Sequence, residues 1–423
     1  MLSAEQIVEL YNQRKKEAGP VKEQMRRIRD LANGDIVLPL NELDKNARSS
    51  VANLFVQGLE QMSMRVASTM PSPYFPPVKE GSERSKNAAR QKKMAMLAMW
   101  DNNRMSQKMR RRSRHLFAYA SSPVLIKPNF RTMMPTWTVR NPLNTYCAPV
   151  EDMDDPIPYD CIFSYQVTAS FLIRTYGEKV VGKLRLGRVE SDQKFTMLEY
   201  ISPDAIQLCA IGGSSDDFEE TTQYGGFSAV LLESIPNRTG ISLVVNPNRI
   251  TLDKPRGQFD GILGMYYTRA RLQALTEIAI ERGIFPEEYL VSRSGENPEI
   301  IQIADGKTGQ LGIVKGGDIQ QLQLNPGYKT DTALDRLERQ ERLEGAIPAE
   351  FGGESSSNIR TGRRGDAVLS ATVDYRVQEA QTIFESSLVE EDKIAIAIEK
   401  AYWGNTTKTF YMGAKQSAGM ESY

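Results

Sequence analysis

Residues 334–362 read LDRLERQERLEGAIPAEFGGESSSNIRTG, and this stretch joins two contrasting kinds of sequence, a charged helix and a loop. Its first part, residues 334–344, alternates positive and negative charges and keeps only a narrow apolar seam of Leu334, Leu337 and Leu343. Two pairs of opposite charge have i, i+4 spacing, Asp335–Arg339 and Glu338–Arg342. Each such pair adds about 0.2–0.5 kcal/mol to the stability of a helix. Such a helix suits packing in an array or lining a wet channel, and an exposed surface helix is the alternative. Its second part, rich in Gly, Pro and Ser, predicts a loop.

The sequence on both sides of this stretch predicts two more helices and a β-containing insert. Apolar spacing and the stop at Gly283 predict a helix over 261–283. A turn-rich insert, 284–327, separates it from a second helix over 330–344. Short strands are expected in the insert at 299–303, 312–314 and 319–324. A last helix from about Arg363 to Trp403 would be on the order of 60 Å long.

The preceding 260 residues predict helices followed by antiparallel strands. Helices are expected at 4–18, 21–32, 46–69 and, as one helix or a broken pair, 85–119. Pro71–Pro77 cannot be helical and predicts an extended strap. Strands are expected at 124–127, 136–139, 161–167, 195–200, 205–210 and 229–232, with a helix over 168–183. The fold class predicted is therefore α+β.

The composition excludes several kinds of chemistry. The 423 residues carry 53 basic and 53 acidic side chains, 40% are hydrophobic and 25% charged, which indicates two or three globular domains. The one histidine, His115, lies among arginines, so a structural role is favoured and histidine-dependent catalysis or metal binding is not. Cys147, Cys161 and Cys209 are predicted to be reduced, partly buried thiols. No apolar run approaches the ~18 residues that a membrane span needs.

Three local patterns suggest function only weakly. Gly306-Lys307-Thr308 has Ile301 where a phosphate-binding loop needs glycine, so a hairpin turn is favoured. Two acidic clusters could hold a divalent cation, but the interpretation as solvated loops is favoured. Their members are Glu151, Asp152, Asp154 and Asp155 in one, and Asp216, Asp217, Glu219 and Glu220 in the other. Residues 84–114 hold 11 basic residues and Asp101, which favours an intersubunit or solvated face over DNA binding.

The order of these parts resembles the portal (head-to-tail connector) proteins of tailed double-stranded DNA bacteriophages. The local match runs over 344–371, where Ile347-Pro348, Gly352-Gly353 and Ser357–Gly362 precede a helix start in a similar order. The resemblance implies a portal fold assembled as a cyclic ring of about twelve subunits. The implied parts are a wing (1–260), a stem helix (261–284), a clip (285–328), a second stem helix (329–345), a channel loop (346–362), a long helix returning to the wing (363–403) and a short or truncated crown (404–423).

The resemblance implies a structural conduit and no enzyme. The ring would occupy one capsid vertex, within the virion and in the host cytoplasm during assembly, and would pass double-stranded DNA during packaging and ejection. Implied partners are further copies of the chain, the major capsid protein, the terminase large subunit and the head-to-tail adaptor, with no membrane and no cofactor. Missing nucleotide motifs and zero net charge agree with a passive channel that does not hold DNA tightly.

The candidate site is the wall of this channel. The residues expected nearest the DNA are Asn358, Arg360, Arg363 and Arg364, with Arg339 and Arg342 on the channel wall or in intersubunit pairs. Flexibility of the channel loop is assigned to Gly352, Gly353, Ser355, Ser356 and Ser357.

Two other classes of protein fit parts of the sequence. A metal-dependent nucleic-acid-processing enzyme would use Asp152, Asp154 and Asp155 with magnesium. Another capsid or head-completion protein would form a shell instead of a ring with a hole.

Overall fold

A computed structural model describes residues 1–35, 54–184, 192–212, 229–252, 254–284, 288–292, 299–302, 313–315, 317–321, 328–344, 375–404, 406 and 408. Two compact units divide the chain. The first draws on Met1–Arg29, Leu59–Asp260 and Ile359–Tyr423, and the second on Asp30–Gly58 and Gly261–Asn358. Helices combine with antiparallel strands, which confirms the α+β class.

The helices largely follow the periodicity of the sequence. Their bounds are α1 (Ala4–Glu17), α2 (Gly19–Asn33), α3 (Leu54–Ser68), α4 (Glu83–Asn102), α5 (Met105–Tyr119), α6 (Ala169–Tyr176), α7 (Glu178–Leu184), α8 (Leu263–Ile284), α9 (Tyr328–Glu344) and α10 (Tyr375–Trp403). The start of α1 is fixed by a capping box in which Ser3 and Gln6 exchange side-chain and backbone hydrogen bonds. Residues 46–53 and 363–374 of two predicted helices lie outside the described residues. Among the described residues, no helix is both long and apolar enough to cross a bilayer.

Two of the predicted helices are broken, and each break has a local cause. The 85–119 segment is a pair, because Arg104 adopts a left-handed backbone (φ 53°) between α4 and α5. The 168–183 segment breaks at Gly177, whose φ of 87° favours glycine. The strap at 71–77 has no regular secondary structure, as predicted.

The strands of the first unit form antiparallel sheets. Their bounds are β1 (Val124–Asn129), β2 (Met134–Val139), β3 (Thr145–Cys147), β4 (Cys161–Thr168), β5 (Lys194–Ile201), β6 (Ala205–Ile211), β7 (Ala229–Pro236), β8 (Val244–Val245), β9 (Ile250–Thr251) and β10 (Lys254–Pro255). One sheet has the order β3-β4-β5-β6-β7, a second has β2-β1-β8, and β9 pairs with β10. All six predicted strands are confirmed, while the short β3, β8, β9 and β10 were missed.

Helices cover both faces of the five-stranded sheet. Leu198 and Tyr200 of β5 pack with Ile7 and Tyr11 of α1 on one face. Phe195 and Met197 point the other way, because side chains alternate along a strand, and they pack among residues of α6 and α7. The last helix, α10, packs against β1, β2 and β8 of the second sheet.

The second unit contains a helix pair and a nested β insert. The insert strands are β11 (Glu288–Ser292), β12 (Glu299–Gln302), β13 (Ile313–Lys315) and β14 (Gly317–Gln321). Antiparallel pairing joins β11 to β14 and β12 to β13, so one hairpin lies within the other along the chain. Three of these strands were predicted, with the last expected at 319–324, and β11 was missed.

Candidate functional site

Helices α8 and α9 pack against each other in the second unit. The buried apolar residues among the described part of α8 lie four positions apart, at Tyr266, Ala270 and Ala274, and form one stripe. Because two of the three are alanines, the stripe leaves room for close approach of a neighbouring helix.

A buried ion pair joins the two helices. The Nε atom of Arg269 on α8 lies 2.8 Å from Oε2 of Glu341 on α9, and the two side chains are only 5% and 2% exposed. Burial raises the pKa of Glu341 above its ordinary value, although the charge of Arg269 opposes the rise. The Arg269 guanidinium also lies 5.7 Å from the ring centre of Tyr266.

The charged sequence of α9 thus has one inward and one outward face. Leu334, Leu337 and Glu341 are half-buried or buried at helical spacing, so the leucine seam continues through Glu341. Arg339 is exposed on another face of the helix. The side chains of Arg342 and Leu343 lie outside the described residues.

The residues expected in the channel loop and directly after it lie outside the described residues: Gly352, Gly353, Ser355, Ser356, Ser357, Asn358, Arg360, Arg363 and Arg364. The turn at 306–308 and the second acidic cluster, 216–220, also lie outside them.

The basic segment of the first unit is partly neutralised within the chain. Arg112 of α5 makes a two-pronged contact with Glu391 of α10, at 2.5 and 3.1 Å, and donates to Ser387 Oγ at 2.9 Å. Both charged side chains are fully buried. On the surface, Arg110 and Arg114 both pair with Glu60 of α3. The expectation of an intersubunit or solvated face is therefore wrong for Arg112, which is buried against Glu391, whereas Arg110 and Arg114 lie at the surface.

His115 lies within the same segment and is half-buried. Burial, together with the charges of the neighbouring arginines, lowers its pKa to about 3. The ring is therefore neutral at physiological pH, which agrees with the structural role expected from the sequence.

The carboxylates suggested for magnesium form an exposed turn. Asp152 Oδ1 accepts a hydrogen bond from the backbone N–H of Asp154, and Asp155 Oδ1 accepts one from Ile157. These contacts explain the acidic residues as turn formers. Across the described parts of the chain, no group of three or more His, Cys, Asp or Glu side chains could hold a metal ion.

The first unit also contains an apolar groove of about 410 Å³ between the strap, α4 and α10. Its lining includes Pro73, Phe75, Trp100 and Leu388, with the carboxylate of Asp392 among them. Trp100 Nε1 donates to Asp392 Oδ1 at 3.0 Å. Burial is the main cause that raises the pKa of Asp392 to about 7, and the charge of Glu391 adds to the rise.

This raised pKa predicts that the first unit loses stability as pH rises toward neutrality. Above about pH 5 the unfolded chain has released the Asp392 proton, whereas the folded chain keeps it until about pH 7. The stabilisation is therefore greatest at low pH and is lost as the pH rises through 7, by about 2.5 kcal/mol between pH 5 and 8. Denaturant unfolding at both pH values should show this slope in the wild type and lose it in Asp392→Asn. An unchanged slope in Asp392→Asn, with the exposed Asp101→Asn as control, would contradict the assignment.

No protein-family model matches this chain, and no curated protein matches it either.

Proposed function

We propose that this chain is the portal protein of a tailed double-stranded DNA bacteriophage. One observation carries the proposal: in the second unit an antiparallel β insert lies, along the chain, between two packed helices, and this unit interrupts the sequence of the larger first unit. In a portal the corresponding parts are two stem helices, the clip between them and the wing. The long α10, which belongs with the larger unit, corresponds to the helix that returns to the wing.

The electrostatics of the described residues support a conduit more than a DNA-binding protein. Each cationic side chain that contacts a DNA phosphate raises the affinity of a protein for DNA, and a high affinity would stall translocation. Here Arg110, Arg112 and Arg114 are paired with carboxylates of the same chain, and the whole sequence has zero net charge.

The channel wall and loop are assigned on the resemblance. We assign Asn358, Arg360, Arg363 and Arg364 to the constriction around the DNA. The exposed position of Arg339 on α9 is compatible with the channel wall or with an intersubunit pair. Glycines and serines in 346–362 would let the loop move as DNA passes.

The proposed partners follow from the same parts. Further copies of the chain, about twelve in all, would close the ring. The terminase large subunit and later the head-to-tail adaptor would dock on the clip, and the major capsid protein would surround the wing at one vertex of the virion.

The purified full chain, imaged by negative-stain electron microscopy, tests this proposal. We expect rings with a central hole, and in a reconstruction we expect residues 346–362 at the narrowest part of the bore. A monomer at assembly concentrations, a closed shell, or magnesium-dependent cleavage of DNA by the purified chain would each overturn the portal assignment.

A further inference from the structure

Two of the three cysteines face each other across neighbouring strands of the first unit. Cys147 ends β3 and Cys161 begins β4, and the two residues are direct partners in the antiparallel register. Both thiols are free, and their sulfur atoms lie only 2.9 Å apart. The third cysteine, Cys209 of β6, is buried and directs its Sγ toward the carbonyl of Ala210.

The register places this pair where a disulfide can close. The next pair along the strands is hydrogen-bonded, since the N–H of Ala148 donates to the carbonyl of Asp160 at 2.8 Å. Hydrogen-bonded and non-hydrogen-bonded pairs alternate, so Cys147 and Cys161 form a non-hydrogen-bonded pair with Cα atoms about 4.5 Å apart. Disulfides span Cα distances of about 4.4–6.8 Å, so the strands need not separate for the bond to form.

Two cations, Lys22 and Arg14, lie near the sulfur atoms, and Arg14 is paired with the Asp160 carboxylate at 2.5 Å. Lys22 of α2 donates from Nζ to the carbonyls of Pro142 and Thr145, the latter at 2.8 Å. Burial lowers the pKa of Lys22 to about 8, and its charge and that of Arg14 both act on Cys161. Burial raises the pKa of the Cys161 thiol, and the charges of Arg14 and Lys22 oppose that rise.

The two thiols differ in solvent exposure and therefore in their roles in the reaction. Cys147 is half-buried, whereas Cys161 is fully buried and burial raises its pKa. A small oxidant therefore reaches Cys147 first, and Cys161 is placed to react only with its neighbour.

We propose that Cys147 and Cys161 form an oxidation site whose co-substrate is hydrogen peroxide. The Cys147 sulfur loses its proton and attacks one peroxide oxygen, the O–O bond breaks, and the departing hydroxide takes that proton and leaves as water, which gives a sulfenic acid at Cys147. The Cys161 sulfur then attacks the Cys147 sulfur, the S–O bond breaks, and the departing hydroxyl leaves as water with the Cys161 proton. In sum, two thiols and one peroxide give one disulfide and two waters, and the bond staples β3 to β4. This site does not depend on the portal assignment.

Peptide mapping of the full chain after mild peroxide treatment, compared with an untreated sample, tests the proposal. We expect the free thiols to fall from three to one, a mass loss of about 2 Da, and a peptide pair linked through Cys147 and Cys161. Glutathione should restore all three thiols. Cys147→Ser should keep its two thiols at the same dose, whereas the control Cys209→Ser should still form the link.

Several results would contradict the proposal of an oxidation site at Cys147 and Cys161. They are sulfinic acid at Cys147 without a link, a disulfide between two chains, oxidation of Cys209 first, or three surviving thiols at a dose that oxidises free glutathione. Because the map of the wild-type protein alone decides among these, the test does not rely on the folding of any variant.

Discussion

Replacing Arg112 with alanine is expected to lower the free energy of unfolding of the first unit by about 3–5 kcal/mol. The substitution leaves the Glu391 carboxylate, which is 0% exposed, without its counterion in the core between α5 and α10. It also removes the guanidinium that lies 5.1 Å from the ring centre of Phe384. Chemical denaturation followed by circular dichroism measures the loss.

The adjacent Arg111 is the matched control for this prediction. It is exposed on the same helix, so Arg111→Ala should change stability by no more than about 0.5 kcal/mol. The double variant Arg112→Met with Glu391→Leu removes both buried charges and should recover most of the stability. If Arg112→Ala and Arg111→Ala unfold alike, the buried pair contributes little and the assignment of its role is wrong.

The second large effect is expected at the ion pair between α8 and α9. Arg269→Ala leaves the carboxylate of Glu341, only 2% exposed, without its counterion, and should destabilise the helix pair by about 3–5 kcal/mol. Hydrogen exchange of the α8 and α9 amides is the appropriate measurement, because it reports opening of one unit separately from the rest of the chain.

A double-mutant cycle distinguishes this pair from simple loss of packing. Arg269→Ala with Glu341→Ala should cost less than the sum of the two single changes, whereas the exposed control Arg271→Ala should leave exchange unchanged. The pKa of Glu341 is already raised, so in Arg269→Ala the carboxyl takes up a proton as pH falls and part of the stability returns. Additive single effects and a loss independent of pH would contradict the pairing.

Local sequence patterns predicted much of the architecture. Apolar spacing located α8 and α9 within about two residues, and alternation located the central strands of both sheets of the first unit. These elements were predictable because burial of one face imposes a period on neighbouring residues. Strands of two or three residues, such as β3 and β8, are too short to carry a period.

Contacts between residues distant in sequence were not predictable in the same way. The cluster of arginines in α5 indicated positive charge, but its partners are 50 residues away at Glu60 and 279 residues away at Glu391. Nothing local to Arg112 distinguishes it from Arg111, although one is buried and the other exposed.

The candidate site was predicted only in outline. Helices α8 and α9 were expected, and Arg339 is exposed on α9. The pairing of Arg269 with Glu341 was missed, although a signal existed: Glu341 follows Leu334 by seven residues and Leu337 by four. An acidic residue on an apolar seam indicates a buried cation on the facing helix.

The Arg112–Glu391 contact also sets an order of events during protein synthesis. Its two members are 279 residues apart, so at about 5–20 residues per second Glu391 leaves the ribosome roughly 15–55 s after Arg112. Throughout that interval Arg112 of the nascent chain lacks the Glu391 carboxylate with which it pairs in the folded protein. Packing of α5 against α10 in the first unit can therefore be completed only after α10 has been synthesised, and chaperone binding during that interval would protect the exposed α5.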